Sequence, residues 1–466
     1  MKIGDLKDKK ITVMGLGLHG GGIGTARFLS ELGAQVTVTD IKSKEELAPA
    51  LEKLKGCKNI TYVFNQHRPE DFTAVDMVVK TPAAPWNNKY IKLALDNKIP
   101  VEVDSSLFFK LCKNTIIGVT GTKGKTTTAT LIYEILKNSG KNVIKVGIGQ
   151  VSVLDKLKEI KKDTIAVFEL SSWRLSALGR YGLSPQIAVI TNVYPDHLNY
   201  YKTMEEYVAD KKLIFKNQKN GDVCVINFDD EVIKTWESDI KSQVIKISRQ
   251  KIDKGKGSYA SDGMIYLNDG NDENKIMEEK EIKIKGDHNV SNVLLAMGAS
   301  QAAGIGLEDI KKAVSQFKGI AHRLEFVREL NGVKYYNDTT ATTPESAISG
   351  ISSFSEPVIL IGGGSDKNLD MKDLAKVILE KTKGVIFLKG QGTDKIISEI
   401  KKNLPEEEKN KEFATADSLE KAVEMAKGDA ESGDIVLLSP GAASFGLFNN
   451  EFDRGDKFKE VVKALK

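Results

Sequence analysis

Thr115-Ile116-Ile117-Gly118-Val119-Thr120-Gly121-Thr122-Lys123-Gly124-Lys125-Thr126-Thr127-Thr128-Ala129-Thr130-Leu131-Ile132 is the stretch around which the rest of the chain is organised. A β-branched run passes into a glycine-punctuated turn and then into apolar residues at helical spacing, so it reads strand, loop, helix. Gly118, Gly121 and Gly124 let backbone N–H groups converge on an anion. Lys125 adds a positive charge, and a helix opening near Thr126 offers unsatisfied amides and a positive dipole end. Phosphate suits such a turn. The strict phosphate-loop pattern has four residues between its first glycine and Gly-Lys-Ser/Thr. Here five separate Gly118 from Gly124, and Val119 stands where the glycine is expected, so the match is a variant. On this reading Gly121, Thr122, Lys123, Gly124, Lys125, Thr126 and Thr127 hold a nucleoside triphosphate, with Lys125 reaching its β/γ-phosphates and the Thr126 hydroxyl a magnesium ion. The plainer reading is a glycine-rich strand-to-helix turn with solvated lysines.

Downstream, near-continuous apolar runs at 164–169 and 186–192 predict parallel strands covered on both faces. The first ends at Glu169, followed by Ser171 and Ser172; the second ends at Asn192, followed by Asp196 and His197. Chemistry in open α/β sheets lies off the carboxyl ends of strands, where Lys125 would also lie. Glu169 there fits either a metal-binding carboxylate beside a phosphate loop or a solvated strand-end acid. His197 fits either a metal ligand through a neutral ring nitrogen or a histidine without one. Short alternating strands over 258–285, with Asp-Gly and Gly-Asn turns, predict a β-meander edging the sheet. Gly286-Asp287-His288-Asn289 then opens a helix through 302, with Asp287 or Asn289 as its cap.

Upstream, an apolar strand at 11–14 leads into Gly15-Leu16-Gly17-Leu18-His19-Gly20, a helix over 24–32 and a strand at 35–39 that ends at Asp40. This is a Rossmann-like βαβ start. Alone, the glycine pattern fits a phosphorylated nucleotide or sugar, or glycines needed only for packing; His19 reads as a bystander. Strands at 60–63 and 77–80 and a helix at 90–96 complete a small α/β unit that ends near Cys112. Beyond Gly319, strands at 333–337, 358–362, 384–388 and 434–439 separated by helices predict another doubly wound α/β unit. Gly362-Gly363-Gly364, Asp338 with its threonine run, and Pro440-Gly441-Ala442-Ala443-Ser444 fall just past strands, each a binding turn or an ordinary loop. The expected fold is α/β with three domains: a Rossmann-like unit at 1–111, a central phosphate-loop parallel sheet with a β-meander at 112–318, and a C-terminal Rossmann-like unit at 319–466.

A chain of 466 residues exceeds what one core usually serves, and 41% hydrophobic with 28% charged residues is ordinary globular composition. The net charge of +4 comes from 68 basic and 64 acidic residues spread along the length, with no dense basic tract, which disfavours nucleic acid as a partner. Cys57, Cys112 and Cys224 fit no metal or disulfide framework, as expected in a reducing compartment. The first ten residues lack an apolar targeting core, and no apolar run approaches a membrane span, so a soluble cytoplasmic protein is expected.

At Thr120-Gly121-Thr122-Lys123-Gly124-Lys125-Thr126-Thr127 the chain resembles the Mur ligase family, whose loop has this off-register glycine spacing. Glu169-Leu170-Ser171-Ser172, Asn192-Val193-Tyr194-Pro195-Asp196-His197, Gly286-Asp287-His288-Asn289-Val290-Ser291-Asn292 and His322-Arg323 follow in the family's order. The resemblance covers essentially the whole chain. The Rossmann-like first unit and Leu438-Ser439-Pro440 point to the branch that joins D-glutamate to UDP-N-acetylmuramoyl-L-alanine.

The resemblance implies a cytoplasmic, monomeric ATP-dependent ligase of peptidoglycan precursor synthesis, with a UDP-sugar in the first domain, ATP in the second and glutamate in the third. It implies two magnesium ions, replaceable by manganese, held by Thr126, Glu169, His197 and a CO2-derived carbamate on Lys211; residue type alone would leave Lys211 a surface helix residue. It further implies Lys125 and Arg323 on the phosphates, Asn292 on adenine and Asp338 on ribose. Leu18, His19, Asp40 and Ser171 would serve the UDP-sugar, with Asp40 on the base or ribose edge, and Thr342, Lys367 and Ser444 the amino acid. Three positions depart from the pattern: Thr340 where a lysine is expected, Glu451 where an aromatic is, and Gly147 where an asparagine is. The departures at Thr340 and Glu451 leave open the same ligase chemistry with a different amino acid, L-glutamate or another. Two other classes stay open on the residues themselves: a nicotinamide-dependent oxidoreductase resting on Gly15 to Asp40, and a nucleotide-gated binding protein without amide chemistry.

Overall fold

The computed structural model describes residues 1–466 apart from 19, 150, 196–199, 253–254, 367–368 and 411. In the first sheet β1 (Lys10–Met14), β2 (Gln35–Thr39), β3 (Ile60–Val63), β4 (Met77–Lys80) and β5 (Val101–Glu102) run in the order β3-β2-β1-β4-β5, all parallel. The direction of winding reverses between β1 and β4, which leaves a crevice off their carboxyl ends.

The second sheet contains β6 (Ile116–Thr120), β7 (Val143–Val146), β8 (Ile165–Glu169), β9 (Ile187–Ile190), β10 (Val223–Asn227), β11 (Gln243–Ser248), β12 (Gly257–Ser261), β13 (Met264–Asn268) and β14 (Glu273–Glu278). Their order is β14-β13-β12-β11-β10-β9-β6-β8-β7, parallel from β7 to β12 and antiparallel over the last two pairs. Interior strands such as β6, β9 and β10 are buried along their whole length, whereas β13 alternates, as an antiparallel strand with one solvated face should.

The third sheet holds β15 (Glu325–Leu330), β16 (Val333–Asn337), β17 (Val358–Gly362), β18 (Thr382–Leu388), β19 (Thr415–Ala416) and β20 (Ile435–Leu438) in the order β15-β16-β20-β17-β18-β19, parallel except for the β15–β16 edge hairpin. Helices cover both faces, giving two separate cores, one around Phe458 and one around Phe387. The protein is thus α/β throughout, with a Rossmann-like first sheet, a central phosphate-loop sheet edged by a meander, and a Rossmann-like third sheet.

By contacts the chain divides into two compact units, residues 1–281 with 290–315, and residues 282–289 with 316–466. Within the first, one continuous core runs from Leu6 and Ile11 through Phe108 to Ile190 and Trp236, so the first two sheets share buried surface. Phe108 meets Phe168 edge-on at 5.3 Å between ring centres.

Most strand expectations coincide with the structure to within a residue or two. The helix expected over 24–32 instead spans Gly21–Glu31, because its glycines are packing residues within the helix. A Cβ on Gly22 would drive into the carbonyl oxygens of Gly15 and Leu16, and one on Gly24 into Ser152. Strands β5, β7, β10, β11, β15 and β19 were not among those expected from the sequence; β5 and β19 are two residues long, whereas β10, with Val223-Cys224-Val225-Ile226, is a continuous apolar run like those that were expected. Among the described residues no helix is long and apolar enough to cross a membrane.

Candidate active site

The apolar β6 delivers the chain to the middle of the second sheet, where Gly121 and Gly124 take positive φ of 145° and 79°. A side chain at either would force its neighbour to shift: a Cβ on Gly121 would strike Thr191 Oγ1, and one on Gly124 would strike Asn292 Oδ1. Gly124 flanks the helix Lys125–Asn138, so Lys125, Thr126 and Thr127 form the helix's first turn with its unpaired amides and positive dipole end. Lys125 Nζ folds back onto the loop, donating to Gly121 O at 3.0 Å and Thr122 O at 2.9 Å. Such a lysine holds the turn in shape and can exchange those carbonyls for phosphate oxygens.

Neighbouring strands brace the loop. The Thr122 amide donates to Asn192 O at 2.8 Å and the Lys123 amide to Asn192 Oδ1 at 2.8 Å, while Thr191 Oγ1 donates to Lys123 O at 2.5 Å. Strand β8 lies beside β6 with Val119 opposite Glu169, which places the half-buried Glu169 at the same carboxyl end of the sheet as the loop. Thr122 Oγ1 lies 3.1 Å from Tyr207 Oη, and Tyr207 in turn packs under Lys211 Nζ at 4.5 Å from the ring centre. Lys211 is buried on the helix Met204–Lys216 rather than on its surface, which overturns what its residue type alone suggested. Asn292 reaches the same loop from the helix Asp287–Ala302 and accepts from Thr128 Oγ1 at 3.3 Å. Lys125, Glu169, Lys211 and Asn292, distant in sequence, are therefore gathered around one turn. His197 lies outside the described residues.

In the first sheet, Asp40 follows β2 and is buried. Its Oδ2 accepts the amides of Leu16 at 2.8 Å and Gly17 at 3.2 Å, and its Oδ1 accepts that of Lys42 at 3.0 Å. The carboxylate thus braces the glycine turn. Leu18 is exposed, and His19 lies outside the described residues. Ser171 flanks the helix Ser172–Arg180 and accepts the Arg174 amide.

In the third sheet, β16 and β20 end opposite each other, Asn337 against Leu438, so the loops that follow are neighbours. Ser439 Oγ donates to Asp338 Oδ2 at 2.8 Å and the Leu324 amide to Oδ1 at 3.2 Å. Burial lifts the Asp338 carboxyl to about 7, against those hydrogen bonds and the charge of Arg323. Arg323 itself is exposed; Thr342 is half-buried and Ser444 buried in the adjoining loops. Lys367 lies outside the described residues.

Three family models match in chain order: the Mur ligase MurD-like N-terminal domain over residues 9–102, the Mur ligase middle domain over 119–300, and the Mur ligase glutamate ligase domain over 322–441. A UDP-N-acetylmuramoylalanine–D-glutamate ligase of Roseiflexus sp. is 39% identical over 99% of each chain. The ligase of the same name from Clostridium acetobutylicum is 39% identical over 99% of this chain and 98% of its own. The chain belongs to the Mur ligase family. A solved structure of UDP-N-acetylmuramate–alanine ligase from Thermotoga maritima, 22% identical, covers 98% of this chain and 100% of its own with a TM-score of 0.57, sharing the fold.

The Mur ligase pattern's three departures have visible surroundings. Thr340 Oγ1 donates to His322 O at 2.8 Å, a neutral bond in place of a charge. Glu451 opens the helix Glu451–Ala464 and offers its carbonyl to Thr339 Oγ1, while the aromatic next to it, Phe452, packs edge-on against His322. Gly147 has φ 75°, and a Cβ there would come within 2.6 Å of Glu169 O, so a larger residue would press on the strand end that carries the carboxylate.

Sequence reading missed three polar groups that shape these sites. Arg454, fully buried, donates from Nε to Thr339 Oγ1 and from Nη2 to Thr339 O, both at 2.9 Å. Arg174 Nη2 donates to the buried Asp104 at 2.9 Å, and Lys80 is buried at the end of β4. The signal available for Lys80 was a charge closing an otherwise apolar strand.

Proposed function

We propose that this chain joins D-glutamate to UDP-N-acetylmuramoyl-L-alanine at the expense of ATP, in peptidoglycan precursor synthesis. The carrying observation is the phosphate loop with Lys125 wrapped in its carbonyls, Glu169 at the adjoining strand end and Tyr207 with Lys211 behind it. The full-length likeness to D-glutamate ligases supports the choice of substrates.

In this reading the γ-phosphoryl group passes from ATP to the sugar nucleotide's carboxylate, and the amine of glutamate displaces phosphate from the acyl phosphate to form the amide. Two anions must meet, so positive charge has to be concentrated; Lys125 and Arg323 supply it from the chain. Gly121, Thr122, Lys123, Gly124, Thr126 and Thr127 cradle the phosphates, Asn292 meets adenine and Asp338 the ribose. Leu18, His19, Asp40 and Ser171 serve the sugar nucleotide, and Thr342, Lys367 and Ser444 the amino acid. The domain division that goes with this is 1–111, 112–318 and 319–466, in a monomeric cytoplasmic enzyme.

The Thr126 hydroxyl and the Glu169 carboxylate are hard oxygen donors at the carboxyl end of one sheet, a set that fits magnesium, or manganese in its place, with phosphate and water as further ligands. Bound there, the ion would neutralise charge that develops on the phosphoryl oxygens. A second ion would be held by His197 and by Lys211, once a CO2-derived carbamate turned that buried ammonium into an anionic oxygen donor.

The test is phosphate release with ATP, magnesium and UDP-N-acetylmuramoyl-L-alanine across a panel of D- and L-amino acids. D-glutamate is expected to stimulate most; stimulation by none of them would overturn the reading. Lys211→Ala is expected to abolish turnover with no response to bicarbonate, and an active variant would remove the carbamate role.

A further inference from the structure

β4 ends in a buried charge. Lys80 is 2% exposed, and its Nζ turns onto the residues that follow it, donating to Ala84 O at 2.8 Å, Pro82 O at 3.3 Å and Thr81 O at 3.4 Å. An ammonium has three donors, so three carbonyls saturate it and fix the turn over 81–86. Nζ also lies 4.5 Å from the ring centre of Trp86, which closes that turn. Burial pushes the ammonium down to about 8, with the Asp104 carboxylate opposing the fall and Arg180 adding to it.

Trp86 carries the constraint into the second sheet. Its Nε1 donates to Ser176 Oγ at 2.9 Å, and the Arg180 guanidinium stacks over its ring at 4.0 Å. Both partners lie on the helix Ser172–Arg180, which begins three residues after Glu169 and is tied to the first sheet a second time through Arg174 and Asp104.

The location is the reversal point between β1 and β4. Gly15, Gly21, Gly22, Lys80, Thr81 and Asp104 line a cavity of about 20 Å³ there. The Thr81 amide donates to Met14 O at 2.9 Å, and a Cβ on Gly15 would come within 3.1 Å of the Thr81 methyl. The turn fixed by Lys80 therefore packs against the start of the glycine loop and forms one wall of the crevice where such sheets take ligands.

We infer that Lys80 and Trp86 are positioning residues for a nucleoside-diphosphate sugar: they hold the 81–86 turn as one wall of its crevice and set that wall's spacing from the strand end bearing Glu169. The identity of the ligand rests on the ligase reading above; the wall and its tether do not.

The experiment measures phosphate release by wild type, Lys80→Met and Trp86→Phe, with each substrate varied in turn and Tm recorded. Lys80→Met is expected to raise KM for UDP-N-acetylmuramoyl-L-alanine about tenfold while KM for ATP and for the amino acid stay within about twofold. Trp86→Phe keeps a ring for both cations and loses the bond to Ser176, so a rise of about threefold in the same KM is expected. An unchanged KM, or an equal rise in all three with a fallen Tm, overturns the inference. Hydrogen exchange on the wild type guards against a variant that does not fold: amides over 81–88 gain protection with the sugar nucleotide alone and none with ATP alone. Absence of that gain also overturns it. Should wild type release no phosphate with any amino acid, the ligase reading fails, and the exchange measurement still judges the wall.

Discussion

The turn after β1 and the turn after β6 each leave an apolar parallel strand, use glycines at positive φ and open a helix, yet they are braced by ions of opposite sign. In the first, Asp40 accepts the loop's own amides at Leu16 and Gly17. In the second, Lys125 donates to the loop's own carbonyls at Gly121 and Thr122. The first arrangement uses up amides and sets a negative charge beside them, which opposes a phosphate close to that point. The second spends carbonyls and keeps a cation in reserve that can transfer to a phosphate. Glycine spacing describes how closely a ligand can approach; the bracing ion decides where along the turn an anionic group can sit.

The largest effect should come from removing the reserve cation. Lys125→Met is expected to lower kcat/KM for ATP by about 10³-fold or more, since in the ligase proposed above its charge would act on the transferring phosphoryl group. KM for the sugar nucleotide should move little. Steady-state phosphate release checks both, and a loss below about tenfold would mean the two turns are not opposed in the way described.

Next in size is a pair of glycine substitutions. Gly22→Ala places a methyl against the backbone oxygens of Gly15 and Leu16, which cannot move without shifting β1's turn, so a loss of about 2–4 kcal/mol is expected by denaturant unfolding. In Gly124→Ala the obstacle is a side-chain atom, Asn292 Oδ1, rather than backbone, and φ 79° adds its own strain, so a smaller loss of about 1–2 kcal/mol is expected. ATP affinity should nevertheless fall in the second variant and hold in the first. Equal stability losses would remove the distinction between a turn packed on backbone and one packed on a side chain.

Much of this comparison was legible from the residues, and the part that was not has a definite cause. Strands 35–39, 60–63, 333–337 and 358–362 match the structure because short β-branched runs between glycines and helices have one comfortable conformation. β15 was invisible because, as an antiparallel edge strand reading Glu325-Phe326-Val327-Arg328-Glu329-Leu330, it has neither a continuous apolar run nor a clean alternation. At the sites, the residue types were readable and their partners were not. Asn192 meets Lys123 across 69 positions and Arg174 meets Asp104 across 70, and no local pattern encodes such pairings. The family resemblance named Lys211 and Asn292; only packing shows that Tyr207 links the first, and Gly124 admits the second, to the phosphate loop.

The smallest effect is the most discriminating for the first turn. The resemblance leads one to expect Asp40 on the base or ribose of the nucleotide, whereas both of its oxygens already accept backbone amides. Asp40→Asn keeps one acceptor for Leu16 and Gly17 and turns a donor toward the Lys42 amide, so a brace alone would lose about 1 kcal/mol of stability, with KM for the sugar nucleotide rising only a few-fold. A contact to the ligand would add to that loss a charged hydrogen bond in binding, about tenfold or more in KM. The ratio of the two losses, read from Tm and from KM on the same variant, therefore separates an acid that shapes the turn from one that touches what the turn holds.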